Sequence, residues 1–256
     1  MSIAPAGARS LYSFDGSNLA CGAEPYLVCF PYAGGSAQLF RPWSNALAGI
    51  SAVLAVEYPG RGRRYTELAP QEPEALALEI AQEILLTEAD NAVLFGHSMG
   101  ALLAYLVAIT LTREARPPRA LVVSAYQAPH CLNTAEAVHE LQDSDFVDHL
   151  RKINGTPSEL LDDDESLALV LPIIRADFRL CARYRHGTAP VLPCAIVALG
   201  GLSDPLVDRG GLMGWRDCTS SRFELIMFPG DHFFLHTAAP AVVTCVAQQM
   251  RKFAER

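Results

Sequence analysis

The strongest constraint on this chain lies in Asn91-Ala-Val-Leu-Phe-Gly-His-Ser-Met-Gly-Ala-Leu-Leu-Ala-Tyr105. An apolar run, Ala92 to Phe95, enters Gly96-His97-Ser98-Met99-Gly100, and a second apolar run of helical character, Ala101 to Ile109, leaves it. This is G-x-S-x-G between a strand and a helix, the context in which the motif describes a nucleophile elbow. The turn strains its central residue. Strand and helix pass so close that small residues are needed two positions either side, and Gly96 and Gly100 supply them. Such a turn lifts the Ser98 hydroxyl above the sheet edge. It also sets the Met99 N–H at the positive end of a helix, where an oxyanion can develop. A Gly-Ser turn alone is commonly just a turn; the flanking strand and helix favour a nucleophile.

The segments around this unit specify the architecture. Tyr26–Phe30, Ala52–Tyr58 and Ala120–Ala125 read as buried strands. Ala37–Leu47, with Ser36 as its N-cap, and Glu72–Ala89, with Leu76, Ile80, Ile84 and Leu85 at helical spacing, read as helices between them. Continuous apolar strands alternating with helices imply an α/β fold: a mostly parallel sheet covered on both faces. Leu11–Phe14 suits a short edge strand. The alternation breaks over residues 129–186, where Glu136–Ile153 and Glu165–Tyr184, the latter bent at Pro172, look helical. The 256 residues therefore read as one α/β domain with a helical lid inserted at about 129–186.

A serine needs a base, and the base needs an orienting acid. The sheet resumes with Cys194–Leu199, followed by Gly200-Gly201-Leu202-Ser203-Asp204-Pro205. Asp204, just past a strand end, suits the acid, with Asp208 as the nearest substitute. The last strand, Phe223–Phe228, runs into Pro229-Gly230-Asp231-His232, ahead of a helical stretch from Phe233 to Met250. His232 suits the base, and His236 lies one helical turn beyond. The order Ser98, Asp204, His232 is that of the α/β-hydrolases. Pro31-Tyr32-Ala33-Gly34-Gly35-Ser36 follows the first buried strand. It lacks the Walker lysine and the G-x-G-x-x-G spacing, so phosphate binding is disfavoured. An oxyanion-hole loop is the better reading, with the Ala33 N–H as second donor beside Met99.

Charge and composition exclude other classes. A net charge of −8 argues against nucleic-acid binding. No apolar run reaches membrane-spanning length, and residues 1–10 do not resemble a secretory signal, so a cytoplasmic protein is expected. The seven cysteines form no C-x-x-C pair; Cys29, Cys194 and Cys245 sit in apolar runs, so reduced thiols and no zinc site are expected. A monomer is the default expectation.

Phe30-Pro-Tyr-Ala-Gly-Gly-Ser36, Pro59-Gly-Arg61, Gly96-His-Ser-Met-Gly100, Gly201-Leu-Ser-Asp204 and Pro229-Gly-Asp-His-Phe-Phe-Leu235 together resemble the type II thioesterases. These stand-alone enzymes accompany modular polyketide and non-ribosomal peptide synthetases. The resemblance runs from about Tyr26 to Val246. It implies an α/β-hydrolase fold with a helical lid. It also implies hydrolysis of acyl groups from the phosphopantetheine arm of acyl or peptidyl carrier proteins, clearing stalled or misprimed chains, with no cofactor of the enzyme's own. The family's nucleophile, acid and base fall on Ser98, Asp204 and His232, and its oxyanion donors on Met99 and Ala33. Carrier domains are generally acidic, so docking on this acidic chain calls for a local positive surface. Arg61, Arg63 and Arg64, after the strand ending at Tyr58, are the first candidates; the stripe Arg175, Arg179, Arg183 is the second. A medium-chain fatty-acyl thioesterase or a general carboxylesterase would use the same triad. A hydrolase-fold binding module is the non-catalytic alternative.

Overall fold

A computed structural model describes residues 10–14, 26–87, 92–132, 137–156, 158–187 and 190–254. Seven strands form one sheet: β1 (Leu11–Ser13), β2 (Tyr26–Phe30), β3 (Ala52–Val56), β4 (Val93–His97), β5 (Ala120–Ser124), β6 (Ala195–Gly201) and β7 (Phe223–Phe228). Their spatial order is β1-β3-β2-β4-β5-β6-β7. Only β1 runs antiparallel, at the edge beside β3; the other neighbours pair in parallel. Strands β2, β4, β5 and β6 are buried along their whole length, as parallel strands covered on both faces must be. The fold is the α/β-hydrolase type expected of the sequence.

The helices are α1 (Arg41–Ala46), α2 (Pro73–Leu86), α3 (Met99–Arg113), α4 (Asp143–Ile153), α5 (Ser158–Leu161), α6 (Asp164–Arg183), α7 (Arg209–Met213), α8 (Phe234–Thr237) and α9 (Ala239–Ala254). Alternation along each strand sends side chains to two separate cores. Val28 and Phe30 join Leu76, Ile80 and the apolar face of α3 on one side. Leu27 and Cys29 join Trp43 of α1 and Val242, Val246 and Met250 of α9 on the other. A third core lies among α4, α5 and α6: Phe146, Leu150, Ile153, Leu161, Leu171 and Ile174 close around Phe233, next to His232. Helices α4–α6 are thus attached to the site loop through shared apolar packing.

Several elements depart from expectation. Ala37–Leu47 is split into a 3₁₀ turn, Ala37–Phe40, and α1, because Pro42 is tolerated only in the first turn of a helix. Ser36 makes no side-chain cap. Helix α3 starts two residues earlier than its apolar run, at Met99. The stretch expected as one helix from Glu136 contains a 3₁₀ turn, Val138–Glu140, before α4; residues 133–136 lie outside the described residues. Helix α6 runs through Pro172, whose ring and the Ala168 carbonyl it leaves free are both on the exposed face. Helix α7 was not readable, since Arg-Gly-Gly-Leu-Met has poor helix propensity. It forms because Asp208 accepts the Gly211 N–H at 2.7 Å, and Leu212 is fully buried.

Among the described residues, no helix is long and apolar enough to cross a membrane. Six cysteines are free thiols; Cys21 lies outside the described residues.

Candidate active site

Strands β4, β6 and β7 each deliver one candidate side chain just past their carboxyl ends, where ligands bind in open α/β sheets. Ser98 follows β4 in a conformation rarely adopted by L-residues, φ 52° and ψ −122°. Its N–H is held by the Ser124 carbonyl at 2.8 Å. The neighbouring glycines explain how the turn is built. A Cβ on Gly96 would lie 2.1 Å from the Gly100 carbonyl oxygen, and one on Gly100 would lie 2.1 Å from the Phe30 carbonyl oxygen. Those obstacles are backbone, so neither position admits a larger residue.

Asp204 and His232 sit on loops bound to each other. The Leu202 N–H donates to the Phe228 carbonyl at 2.8 Å and the Ser203 N–H to the Gly230 carbonyl at 2.9 Å. The loops approach so closely that a Cβ on Gly201 would meet the Asp231 carbonyl oxygen at 2.3 Å. Across this junction Asp204 Oδ2 lies 2.9 Å from His232 Nδ1, and His232 Nε2 lies 3.0 Å from Ser98 Oγ. Asp204 Oδ1 is occupied by the Leu206 and Val207 N–H groups at 2.8 and 3.2 Å. Both the imidazole and the carboxylate are almost wholly shielded from solvent. With one carboxylate oxygen taken by backbone donors, the other is left for Nδ1–H, which leaves Nε2 as an acceptor facing the Ser98 hydroxyl. The two substitutes are engaged elsewhere: Asp208 caps α7, and His236 pairs with the Tyr32 hydroxyl at 2.9 Å.

Ser98, His232, Met99 and Ala33 all line one cavity of about 630 Å³. Neither the Ala33 nor the Met99 N–H has a hydrogen-bond partner among the described residues. An oxyanion hole requires amides free of other partners, and both of these residues share the cavity with Ser98. The cavity is walled mainly by apolar side chains, including Leu150, Ile153, Ile174 and Phe178 from α4 and α6. Cys181 also lines it, but burial pushes its thiol up, so it stays protonated and is not a competing nucleophile.

His97, the x of the G-x-S step, is fully buried between Tyr32, His232, Phe233 and Phe234. Its Nδ1 pairs with Ser124 Oγ at 2.9 Å. Burial first, then the neighbouring His232 and His236, holds it well below the usual histidine range. A neutral ring therefore packs against the imidazole of His232.

The arginine cluster needs correction. Arg61 and Arg64 are buried, so they offer no carrier-docking surface. Arg64 pairs with Glu67 at 2.6 Å and Glu79 at 2.7 Å and bonds the Ser10 hydroxyl at 2.7 Å. Arg61 pairs with Asp177 of α6. Arg63 is exposed, lies over the Tyr12 ring at 4.3 Å and donates to the Leu11 carbonyl. In the second candidate stripe, Arg175 is tied to Asp143 and the His139 and Leu141 carbonyls, and Arg183 to Gln71 and Glu72. Arg179 is exposed with no acidic partner among the described residues. Sequence reading missed Asp177. The signal was present: Ile174, Asp177 and Leu180 form one buried face of α6, and a lone acid on an apolar stripe requires a partner.

The thioesterase domain family matches this chain over residues 25–250. The linear gramicidin dehydrogenase LgrE of Brevibacillus parabrevis is 35% identical over 90% of this chain and 89% of its own. The gramicidin S biosynthesis protein GrsT of Aneurinibacillus migulanus is 34% identical over 93% of each. The solved type II thioesterase BorB, from the borrelidin biosynthetic cluster, superposes with a TM-score of 0.83 at 34% identity, over 94% of this chain and 96% of its own.

Proposed function

This chain belongs to the thioesterase domain family and is a hydrolase of thioesters; from that premise we propose that it removes acyl groups from the phosphopantetheine arms of carrier proteins. The editing of stalled or misprimed synthetase chains is the corresponding role. The reading is supported above all by one observation: Asp204, His232 and Ser98 follow one another at 2.9 and 3.0 Å at the edge of an apolar cavity.

The reaction follows from those distances. Ser98 Oγ attacks the thioester carbonyl carbon while His232 Nε2 takes its proton. Asp204 stabilises the imidazolium that forms. The carbonyl oxygen, now negative, lies against the N–H groups of Met99 and Ala33. Collapse of the tetrahedral species breaks the carbon–sulfur bond, and His232 returns its proton to the departing pantetheine sulfur. A water then repeats the cycle on the acyl-serine, losing a proton to His232 and freeing the acid and Ser98. No step calls for a cofactor. The apolar cavity holds the acyl chain, and α4 and α6, which supply its walls, act as a lid over it.

Intact-mass analysis of acyl-carrier proteins tests this reading. Incubation with the enzyme should remove the acyl mass and leave the pantetheine arm in place, and Ser98→Ala should abolish the change. An unaltered carrier with the wild-type enzyme would reject the proposed substrate.

A further inference from the structure

Arg61 lies on the loop after β3, and Asp177 lies in the middle of α6, yet they form a two-pronged ion pair. Arg61 Nη1 donates to Asp177 Oδ2 at 2.7 Å and Nη2 to Oδ1 at 2.6 Å. Their side chains are 6% and 2% exposed, so solvent screens little of the attraction. Removing two charges from water is costly unless geometry and further hydrogen bonds compensate. The further bonds all go to one place. Asp177 Oδ2 accepts the Gly34 N–H at 2.7 Å, and Arg61 Nη1 donates to the Gly35 carbonyl at 3.0 Å. Both partners are in the loop that follows β2, directly after Ala33.

This contact sorts the amides of the loop. Gly34 has a φ of +78°, its N–H is taken by the carboxylate, and its neighbour Gly35 is held at the carbonyl. The Ala33 N–H, one position earlier, is left without a partner among the described residues, and Ala33 lines the cavity with Ser98 and Met99. The other end of the loop is held by the Tyr58 hydroxyl, which donates to the Pro31 carbonyl at 3.0 Å. Ile174, one helical turn before Asp177, presses on Gly34: a Cβ there would lie 2.7 Å from Ile174 Cγ1.

We propose that Arg61 and Asp177 are positioning residues for the reaction: their buried ion pair fixes Gly34 and Gly35 so that the Ala33 N–H stays available as the second oxyanion donor. The pair rests on the proposed role of Ser98 but adds a separate claim, that α6 contributes to transition-state stabilisation and not only to the cavity wall. Its effect should appear in the chemical step. An oxyanion donor held only part of the time loses value in kcat, whereas substrate binding, carried by the apolar cavity, is left alone.

The test replaces both charges together, R61M/D177L, because removing one partner strands the other as a buried charge. If the double variant does not fold, R61K, which keeps both charges but loses the two-pronged geometry, carries the same measurements at smaller amplitude. Expected is a fall in kcat of about 10²-fold, within the range for losing one oxyanion donor, with KM changed less than threefold. Affinity for a boronic-acid analogue, which places a tetrahedral oxygen in the hole, should fall in parallel. Affinity for a non-hydrolysable thioether analogue of the substrate should stay within threefold. A folded variant with wild-type kcat, or equal losses for both analogues, would overturn the proposal. Ser98→Ala run alongside separates the two claims: if it is inactive while R61M/D177L is unimpaired, only the positioning role fails; if it retains wild-type turnover, the nucleophile assignment fails as well.

Discussion

Replacing Asp204 by Asn alters very few atoms, and the structure specifies which way round the new amide must sit. Oδ1 accepts two backbone N–H groups, from Leu206 at 2.8 Å and Val207 at 3.2 Å. An Asn carbonyl oxygen can take that place; an NH₂ group cannot, since it would face two donors. The NH₂ is therefore turned toward His232 Nδ1, where the carboxylate now stands at 2.9 Å. There it donates to Nδ1, which drives the imidazole proton to Nε2, the atom that must accept from Ser98. The reverse flip restores the useful tautomer but sacrifices two backbone hydrogen bonds, about 1–3 kcal/mol together at the usual net value for each. Even then a neutral amide replaces a carboxylate opposite the imidazolium, losing a charge-assisted bond of about 1.5–3 kcal/mol. At about 1.4 kcal/mol per tenfold, the two effects lower kcat by roughly 10²–10⁴-fold, a range that includes the loss seen when a triad acid is made an amide. Thiol release from an acyl-pantetheine substrate, followed with a chromogenic thiol reagent, measures it. A correctly folded D204N variant with kcat within tenfold of wild type would refute the assignment of the acid and the reasoning about its two oxygens.

Gly100→Ala brings a Cβ to 2.1 Å from the Phe30 carbonyl oxygen, with no flexible side chain to yield. Urea unfolding should show a loss of about 3 kcal/mol or more, and wild-type stability would contradict the packing described. His97 gives a pH dependence. Its folded-state pKa is lowered by burial, so the unfolded chain takes up a proton first, and stability that is full above the unfolded value of about 6.5 declines as the pH falls below it. Between pH 6.5 and 5.5, wild type should lose roughly 1 kcal/mol more than a non-titrating His97→Asn variant; parallel profiles would exclude His97 as a source of acid sensitivity.

The strands and the placing of Ser98, Asp204 and His232 at strand ends were legible because both are local signals. A parallel strand covered on both faces is a continuous apolar run, and each functional side chain stands within a few residues of such a run's end. Phe223–Phe228 was bounded correctly because Pro229 and Gly230 punctuate it. The Ser98 turn was legible because Gly96 and Gly100 are imposed by backbone clashes that any such turn would have. What failed was the meaning of charge. Arg61, Arg63 and Arg64 look like a solvated basic loop, yet the partners that bury two of them, Asp177 and Glu79, are far away in the chain or on another helix. Pairing at that separation leaves no periodicity to read. The Gly-rich α7 was lost because a single cap and the burial of Leu212 outweighed local propensity, whereas the split at Pro42 was a local signal left unread.

The central claim is that His232 makes Ser98 a nucleophile. A fluorophosphonate probe followed by peptide mapping tests it most directly. A single adduct on the peptide carrying Ser98, abolished in His232→Ala, is the predicted result. An adduct on another residue, or undiminished labelling of Ser98 without the imidazole, would contradict it.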